Sequence, residues 1–441
     1  MDSFFQSRQV GDLALGKPAV RRLSTTATVG EALELLKKAH EPYLGLWAHK
    51  KHVIGPRAAA DSSSSSSVNS LIIFGNGTTT TTLRNPAAIR EEDLDHPNER
   101  RWQCVGRVSM IEIICFLARD ESLMNLPAAL NTPLSVFVSP TSSSAVHHVD
   151  SRTWLFEALE GFLDGTQHLV VPIDCSSSSS IASNHEYCWL APEDVVRFLL
   201  SCIGLFSPIP MMSIQQLGLI NTEVLIARAT ANAMSTLPLI QKAAREMTAV
   251  AVIEELKDDD DDDDLLNSDG ELTLVGDISA FTMKGCNETA ALALATLSVR
   301  DFLSYAQDCG GPPNSLVQLV QLRVQEKIDT AAKFLSKQTI VSLPTNSSTH
   351  QRHHHHYYSS MSKDDSQVPP SSFSLRCAYS KGRMAPHTCR PWSSLVAVMA
   401  QALTHRVGYI WVTDERNSLL GIVTYLDIIK CLLNNLYEPF S

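Results

Sequence analysis

The sequence lacks three features that mark whole classes of protein. No apolar stretch reaches the roughly 18–20 residues of a membrane-spanning helix; residues 198–212 come nearest and contain two prolines. The ten cysteines include no C-x-x-C pair, which argues against a zinc ribbon or a dense disulfide framework and predicts buried, reduced thiols. No run of lysine and arginine exceeds a pair in this 441-residue chain of net charge −11, so no nucleic-acid partner is expected.

The N-terminal residues carry no recognisable targeting signal. The start, MDSFFQ, has neither the charged-then-apolar layout of a signal peptide nor the Arg/Ser-rich composition of a transit peptide. We therefore expect an intracellular, most simply cytoplasmic, protein with no membrane partner.

Motifs for bond-making chemistry are also missing. The chain contains no G-x-S-x-G elbow, no phosphate-binding G-x-x-x-x-G-K-[ST] loop and no H-E-x-x-H metal helix. The His147–His148 pair is isolated, and no set of cysteines and histidines has ligand spacing. We therefore expect neither an enzyme nor a metal protein.

Low-complexity tracts interrupt the chain. A long polar stretch over about 49–100 contains serine and threonine runs; five serines follow at 176–180, seven aspartates at 258–264, and a polar tract with a run of four histidines, 353–356, at about 342–372. Seven of the eleven excess negative charges lie in the aspartate run. None of these tracts can bury enough apolar surface to offset chain entropy, so we predict mobile insertions.

With the tracts set aside, one unit recurs four times. It consists of an amphipathic helix, a short apolar strand, a turn or insertion, and a second strand that runs directly into another helix. In the fourth copy, Leu395, Met399 and Ala402 share one helical face. That copy then has predicted strands at 409–413 and 420–424 and a helix at 425–433.

The other copies repeat this pattern. The apolar stripes that predict their first helices are Val29, Leu33, Leu36 and Ala39 in the first copy, Leu155, Leu159 and Phe162 in the second, and Ile240, Ala243 and Met247 in the third. The predicted strands are 43–47, 103–108, 168–174, 249–253 and 272–275, and the following helical or apolar segments are 110–117, 192–200 and 299–305.

A small sheet with helices cannot seal its apolar face alone, so such units must pair. The predicted fold class is therefore α+β, with four repeats paired into two modules over about 10–205 and 215–437. The predicted repeat boundaries are 10–122, 130–205, 215–308 and 328–437, with insertions at about 49–100, 257–270 and 342–372. Insertions between two strands of a hairpin cost little free energy.

The junction between the second strand and its helix recurs in all four copies. It is clearest at residues 421–429, which read GIVTYLDII. This pattern resembles the signature of CBS domains, the cystathionine-beta-synthase-type modules that pair into adenosine-binding Bateman modules. The layout is similar to that of plant proteins built only of CBS domains and of the gamma subunits of AMP-activated-type kinases.

The resemblance implies candidate ligand residues at each junction. In the family, a junction hydroxyl and a carboxylate three residues later are associated with the ribose hydroxyls of an adenine nucleotide. A carboxylate can accept hydrogen bonds from two vicinal hydroxyls, and a helix N-terminus favours a phosphate. Carried over by position, the pairs are Thr424 and Asp427 in the fourth copy, Ser109 and Glu112 in the first, Ala191 and Asp194 in the second, and Ser279 and Thr282 in the third.

Only the fourth pair is intact, because Ala191 lacks the hydroxyl and Thr282 lacks the carboxylate. The same residue types are also typical of a helix cap, in which a hydroxyl precedes the helix and an acid lies in its first turn. Ligand binding and capping therefore both remain open for Thr424 and Asp427, and capping is favoured for the other three pairs.

The residues that would hold a phosphate match the family pattern less well than the junction residues do. Gamma-type subunits place a histidine, often followed by arginine, at the start of the first strand, about six residues before an aspartate. His168 and Asp174 match this pattern, but Leu169 replaces the arginine, and the interpretation of His168 as a partly buried strand histidine is favoured over that of a phosphate ligand. In the fourth copy the cations His405 and Arg406 lie two to three residues too early. So few cations predict weak binding of an anionic nucleotide, or binding of an uncharged nucleoside.

The leading hypothesis is a non-catalytic regulatory protein that senses an adenosine-type ligand and modulates a partner. AMP, ATP, adenosine and S-adenosylmethionine are the candidate ligands, with no cofactor required. The candidate partner is a kinase or another regulated enzyme, and a homodimer is possible. The alternative is a ligand-free interaction scaffold, a gamma-like subunit whose pockets have decayed.

Overall fold

The fold is seen in a computed structural model that describes residues 7–38, 42–49, 102–138, 146–173, 186–255, 272–307, 312–339 and 385–437. The predicted insertions fall in the gaps between these ranges, outside the described residues. The described residues within 7–47 and 104–437 belong to one compact unit, which contains all four sheets discussed below except the outer ends of two strands of the first sheet.

Four three-stranded sheets form the framework, one in each repeat. The described strands are β1 (Arg22–Ser24), β2 (Tyr43–His49), β3 (Trp102–Ser109), β4 (Val146–His148), β5 (His168–Ile173), β6 (Glu186–Leu190), β7 (Leu225–Arg228), β8 (Val250–Glu255), β9 (Leu272–Ile278), β10 (Thr388–Cys389), β11 (Tyr409–Thr413) and β12 (Leu419–Thr424). In each sheet the order in space follows the order in sequence. These four mixed units confirm the predicted α+β class.

The first strand of each sheet is short and was not predicted. It pairs in parallel with the middle strand, as Arg22 does with Gly45 and Leu225 with Val250. The helix between these two strands makes the crossover that a parallel pair requires. Strands of two to four residues contain too few alternating positions to be recognised by periodicity.

The helices account for the apolar stripes. They are α1 (Val10–Ala14), α2 (Val29–Lys38), α3 (Met110–Leu117), α4 (Asp120–Met124), α5 (Leu126–Leu130), α6 (Leu155–Leu163), α7 (Pro192–Ser201), α8 (Leu237–Glu246), α9 (Thr289–Thr296), α10 (Val299–Gln307), α11 (Asn314–Thr339), α12 (Leu395–His405) and α13 (Tyr425–Tyr437). Leu33, Leu159, Ile240 and Met399 are each at most 3% exposed, so the predicted stripes face the core.

Two small apolar clusters join the sheets in pairs. One contains Trp47, Val170 and Trp189, from the sheets of repeats 1 and 2. The other contains Trp411 and Ile422 with Ala251, from the sheets of repeats 3 and 4. The predicted pairing into a first module (repeats 1 and 2) and a second module (repeats 3 and 4) is therefore present in the fold.

Two larger clusters join the modules through their helices. The first unites the helices of repeats 1 and 3, and the second unites those of repeats 2 and 4. Helix α3 packs on α8 and α9, while α7 packs on α12 and α13. Every repeat thus contacts one neighbour through its sheet and another through its helices. The predicted repeat boundaries remain a prediction.

Candidate functional site

A cavity of about 520 Å³ lies where the repeats meet, and we call it the central cavity. Its volume falls in the range of about 300–1,000 Å³ that is typical of small-molecule sites. Its lining side chains come from all four repeats and from the segment before β1. They include Lys17, Tyr43, His168, Trp189, Asp194, Met247, Ser279, Phe281, Lys284, Arg406, Tyr409, Thr424 and Tyr425.

Strand register explains why these residues meet. Tyr409, at the start of β11, pairs with Thr424 at the end of β12. Leu169 pairs with Leu190, which places His168 beside Ala191 at the junction of repeat 2. Because the middle and third strands are antiparallel, the start of one always lies next to the end of the other. Each repeat therefore presents a strand start and a strand–helix junction on the same side.

The junction of repeat 4 reaches the central cavity through Thr424. The Thr424 hydroxyl donates to Asp427 Oδ2 at 2.7 Å, and the Thr424 backbone N–H donates to the same oxygen at 2.8 Å. The Asp427 N–H donates back to the hydroxyl at 3.3 Å. This is a reciprocal helix cap, so the pair does have the capping role. Thr424 lines the cavity, whereas Asp427 is not among the lining residues.

The junction of repeat 1 has the same cap but a different location. The Ser109 hydroxyl donates to Glu112 Oε2 at 2.6 Å and its N–H donates to the same oxygen at 2.8 Å. Ser109 is only 1% exposed. Neither residue is among those that line the central cavity.

The junction of repeat 2 contributes a carboxylate to the cavity. Asp194 accepts from the Ala191 N–H at 2.9 Å and lies 2.5 Å from the Lys17 ammonium nitrogen. Its side chain is 10% exposed. Ala191 carries no hydroxyl, so this junction offers a ribose only the Asp194 carboxylate. The negative charge of that carboxylate is already balanced by Lys17.

The junction of repeat 3 offers hydroxyls only. The Ser279 N–H donates to Thr282 Oγ1 at 2.8 Å, and the Thr282 N–H donates to Ser279 Oγ at 3.2 Å. Ser279 is 2% exposed and lines the cavity. Threonine thus takes over the capping role of the missing acid.

His168 is both a strand residue and a cavity residue. It is 4% exposed, and its Nδ1 has no hydrogen-bond partner among the described residues. Its imidazole packs edge-on against Tyr43 and Trp189, with ring centres 4.9 and 5.1 Å apart. Burial, and to a smaller extent the charges of Arg107 and Lys17, hold the pKa of His168 well below its ordinary value. The imidazole is therefore neutral at pH 7.

The shortage of cations inferred from the motif is wrong for the assembled cavity. Lys17, Arg197, Lys284 and Arg406 all line it. Lys17 comes from the segment before β1 and Lys284 from beyond the third junction, so no local motif predicts them. Arg406, although shifted from the family position, also lines the cavity. It caps the C-terminus of α12 with a left-handed backbone, φ of 55°. The partner of His168 in the motif, Asp174, lies outside the described residues.

Aromatic side chains surround these polar groups. Tyr43, Trp189, Phe281, Tyr409 and Tyr425 all line the cavity. Such rings offer faces on which a planar base can stack. The Tyr425 hydroxyl is buried without a partner in the described ranges, and burial raises its pKa. The cavity thus combines flat apolar surfaces with hydrogen-bonding groups and cations.

Comparison with known proteins decides the family. The CBS domain family model matches residues 386–434. The chain is 32% identical to the CBS domain-containing protein CBSX5 of Arabidopsis thaliana, over 96% of both chains. The protein belongs to the CBS-domain proteins. The CBS domain-containing protein CBSX6 of the same plant is 26% identical over 100% of this chain and 99% of the relative.

A third relative is named as a kinase subunit. The SNF1-related protein kinase regulatory subunit gamma-like PV42b of Arabidopsis thaliana is 21% identical over 75% of each chain. Among solved structures, protein MJ1225 from Methanocaldococcus jannaschii, a proposed archaeal homologue of g-AMPK, aligns over 96% of this chain and 99% of its own. That alignment has a TM-score of 0.48 and 14% identity. The assignment to the CBS-domain proteins rests on the sequence relatives.

Two further properties of the described ranges bear on function. No helix in them combines the length and apolar composition that a membrane span requires. Six of their seven cysteines are buried, as the sequence predicts for the thiols.

Proposed function

We propose that this CBS-domain protein is a non-catalytic regulator whose central cavity binds an adenosine-type nucleotide and whose occupancy alters a partner protein. The observation that carries the proposal is the convergence of three of the four junctions on one cavity. Ser279, Thr424 and the Ala191–Asp194 junction all contribute to its lining.

The chemistry of the lining suits each part of such a ligand. A base can stack on Tyr43, Trp189 or Phe281. Sugar hydroxyls can donate to Asp194 and exchange hydrogen bonds with Thr424. Lys284 and Arg406 supply positive charge for a phosphate. The cavity therefore favours a nucleotide such as AMP or ATP over uncharged adenosine or the cationic S-adenosylmethionine.

The position of the cavity suggests how binding is transmitted. Lining residues come from both modules, so a ligand touches His168 of the first module and Thr424 of the second at once. A ligand that prefers one packing of the two modules shifts the population toward it, and a partner that recognises that packing responds. A kinase or another regulated enzyme is the proposed partner, which the kinase-subunit name of the relative PV42b supports.

Calorimetry and thermal denaturation with AMP, ATP, adenosine and S-adenosylmethionine test the proposal. We expect AMP or ATP to raise the melting temperature and Asp194→Ala to weaken binding by about tenfold or more, since a hydrogen bond to a charged group is worth about 1.5–3 kcal/mol. Glu112→Ala is the matched control, because it removes an equivalent capping carboxylate from a junction outside the cavity. Hydrolysis of the nucleotide, lost in a single variant, would instead indicate an enzyme.

A ligand-free scaffold is the second candidate, and one observation favours it. Each junction is already satisfied within the protein: Thr424 by Asp427, Ser109 by Glu112, Ser279 by Thr282, and Asp194 by Lys17. If no member of the ligand panel changes the melting curve at millimolar concentration, the scaffold is the correct interpretation and the sensor proposal fails.

A further inference from the structure

Two consecutive arginines precede a serine in the first strand of repeat 1. Arg21 and Arg22 stand three and two positions before Ser24. The other arginine pair of the sequence, at 100–101, is followed two positions later by Gln103, which has no hydroxyl. Arginines at both of these distances from a serine form the charge pattern that basophilic protein kinases select, because acidic groups of the kinase pair with the guanidinium groups.

The structure places this pattern at the surface. The side chains of Arg21 and Arg22 are exposed, and Ser24 is partly exposed. The segment belongs to β1, whose backbone is extended. An extended segment is the form in which a binding cleft takes up a peptide through its main chain and alternate side chains. The arginines and the serine therefore already have the backbone conformation of a bound substrate.

The hydroxyl of Ser24 forms hydrogen bonds with a residue of the following turn. Its Oγ lies 2.8 Å from Thr26 Oγ1 and accepts from the Thr26 backbone N–H at 3.2 Å. Both bonds are exposed and join residues only two positions apart. The hydroxyl can give them up for a phosphoryl donor without breaking a contact to another repeat.

Strand β1 is short and lies at the edge of its sheet. It is paired with β2 on one side, where Ser24 lies opposite Trp47. Leu23 packs against the cluster that joins repeats 1 and 3, and because side chains alternate along a strand, Arg22 and Ser24 share the opposite face. A three-residue edge strand with exposed side chains opens at a low free-energy cost, so a kinase can engage it while the rest of the repeat stays folded.

Arg22 must exchange its aromatic contacts to enter a kinase cleft. Its guanidinium carbon lies 5.0 Å from the centre of the Trp47 ring and 5.4 Å from the centre of the Tyr187 ring. A cation over an aromatic ring is held weakly at an exposed site, whereas a carboxylate binds a guanidinium through charge-assisted hydrogen bonds. The exchange therefore favours the complex with the kinase.

Other serines that follow an arginine lack this combination. Ser122 has Arg119 three positions before it, but it is 7% exposed, and two acids stand between them. Ser393 has Arg390 three positions before it, but a proline takes the second arginine's place, and the Ser393 hydroxyl accepts from the Arg390 backbone N–H at 3.1 Å. Ser24 is thus the serine that combines both arginines with an edge strand.

We propose that Ser24 is a phosphorylation site for a basophilic serine/threonine kinase. Ser24 Oγ forms a bond to the γ-phosphorus of the ATP held by that kinase, the bond from this phosphorus to the β–γ bridging oxygen breaks, and ADP leaves. The hydroxyl proton passes to the catalytic aspartate of the kinase. The product carries about 1.5 to 2 negative charges at pH 7 on the strand face of Arg22. The site lies outside the lining of the central cavity, so this inference does not depend on nucleotide sensing.

Incubation of the folded full chain with MgATP and the catalytic subunit of cAMP-dependent protein kinase, a basophilic kinase, tests the site. We expect tandem mass spectrometry to find phosphate on Ser24 and to find none there in Ser24→Ala. Arg21→Gln should lower the initial rate at Ser24 by about tenfold or more, the factor that corresponds to one lost charge-assisted hydrogen bond. Arg119→Gln is the matched control, since it removes an exposed arginine three positions before a serine and should leave the rate at Ser24 unchanged.

A denatured sample separates the sequence pattern from its presentation by the fold. We expect the folded chain to be phosphorylated at Ser24 at a rate within about tenfold of that of the heat-denatured chain, because the edge strand opens locally. Phosphate on Ser24 only after denaturation would overturn the proposal, since the folded strand would then be closed to a kinase. An unchanged rate in Arg21→Gln would overturn it as well, because the arginines would then play no part in recognition.

Discussion

The ammonium nitrogen of Lys17 lies 2.5 Å from a carboxylate oxygen of Asp194, and both side chains line the central cavity. The two residues are 177 positions apart in sequence. A segment that precedes the first repeat therefore supplies the counter-ion for the junction carboxylate of the second repeat. Any sugar hydroxyl that binds Asp194 must share this carboxylate with the lysine or displace it.

Lys17→Met should expose this competition. Without the lysine, Asp194 Oδ2 keeps only the Ala191 N–H as a donor, and Arg197 Nη1 stays 3.6 Å from Oδ1. The carboxylate is then more accessible to sugar hydroxyls, so we expect adenosine to bind about threefold to tenfold more tightly, in line with an ion pair worth about 1 kcal/mol. Isothermal titration calorimetry with adenosine measures the change. Lys37→Met is the matched control, because Lys37 pairs with Glu34 and Glu288, at 2.9 Å each, away from the cavity lining. Unchanged or weaker adenosine binding in Lys17→Met would show that the ion pair does not compete with the sugar.

Asp277 should make folding stability depend on pH in a direction opposite to that of a salt-bridged acid. Burial raises the pKa of its carboxyl above the ordinary 3.8, and the hydrogen bonds from Trp411 and Tyr409 oppose that rise only in part. Between 3.8 and the raised folded value, the folded state binds more protons than the unfolded state, so this group's contribution to stability falls as pH rises.

Two variants of Asp277 separate its charge from its hydrogen bonds. Asp277→Asn keeps an acceptor for Tyr409 and Trp411 and removes the charge, so its stability relative to wild type should increase as pH rises through that window. Asp277→Leu leaves two buried donors unpaired and should lower the free energy of unfolding by about 2–5 kcal/mol. Urea denaturation at several pH values measures both effects. Equal stability of the two variants at every pH would contradict this account of the hydrogen bonds.

A side chain at Gly421 should lower the stability of the fold. A Cβ atom at this position would lie 2.6 Å from the Asn221 carbonyl oxygen and 2.6 Å from Ile220 Cγ2. Asn221 exchanges backbone hydrogen bonds with Ile422 in β12, so the segment before β7 cannot withdraw without breaking them. We expect Gly421→Ala to lower stability by about 1–3 kcal/mol in chemical denaturation. Gly285→Ala is the control, since nothing lies within 4 Å of its Cβ position; an equal loss in both variants would count against the close approach.

Thiol reactivity should follow burial. Burial raises the pKa of the Cys115 and Cys286 thiols to about 12, which leaves almost no thiolate at pH 8. Of the seven described cysteines only Cys202 is not buried. Mass-spectrometric mapping after brief iodoacetamide treatment should therefore find Cys202 modified first among these seven, with Cys115 and Cys286 protected until the protein unfolds. Early modification of Cys286 would mean that the core joining repeats 1 and 3 opens readily.

The apolar patterns within single helices and strands were enough to predict the repeats. The stripe of Leu395, Met399 and Ala402 predicted helix α12, the strand at residues 409–413 was correct at both ends, and helix α3 was correct over residues 110–117. A helical or strand period is visible within one element, because each residue's burial follows from the element's own geometry. The same locality explains the misses: β1, β4, β7 and β10 are too short to show a period.

The candidate site, too, has some residues that the sequence predicts and others that only the tertiary structure reveals. The family resemblance, carried over by position, pointed to the junction residues Thr424, Asp194 and Ser279, because register and helix start fix them within one repeat. It could not find Lys17 or Lys284, nor show that Ser109 and Glu112 lie outside the cavity lining. Those facts depend on which repeats pack together through helices and which through sheets, and they also depend on what stands opposite each buried charge. Only tertiary packing decides that, because the groups that meet in the central cavity are hundreds of residues apart in the chain and share no local pattern.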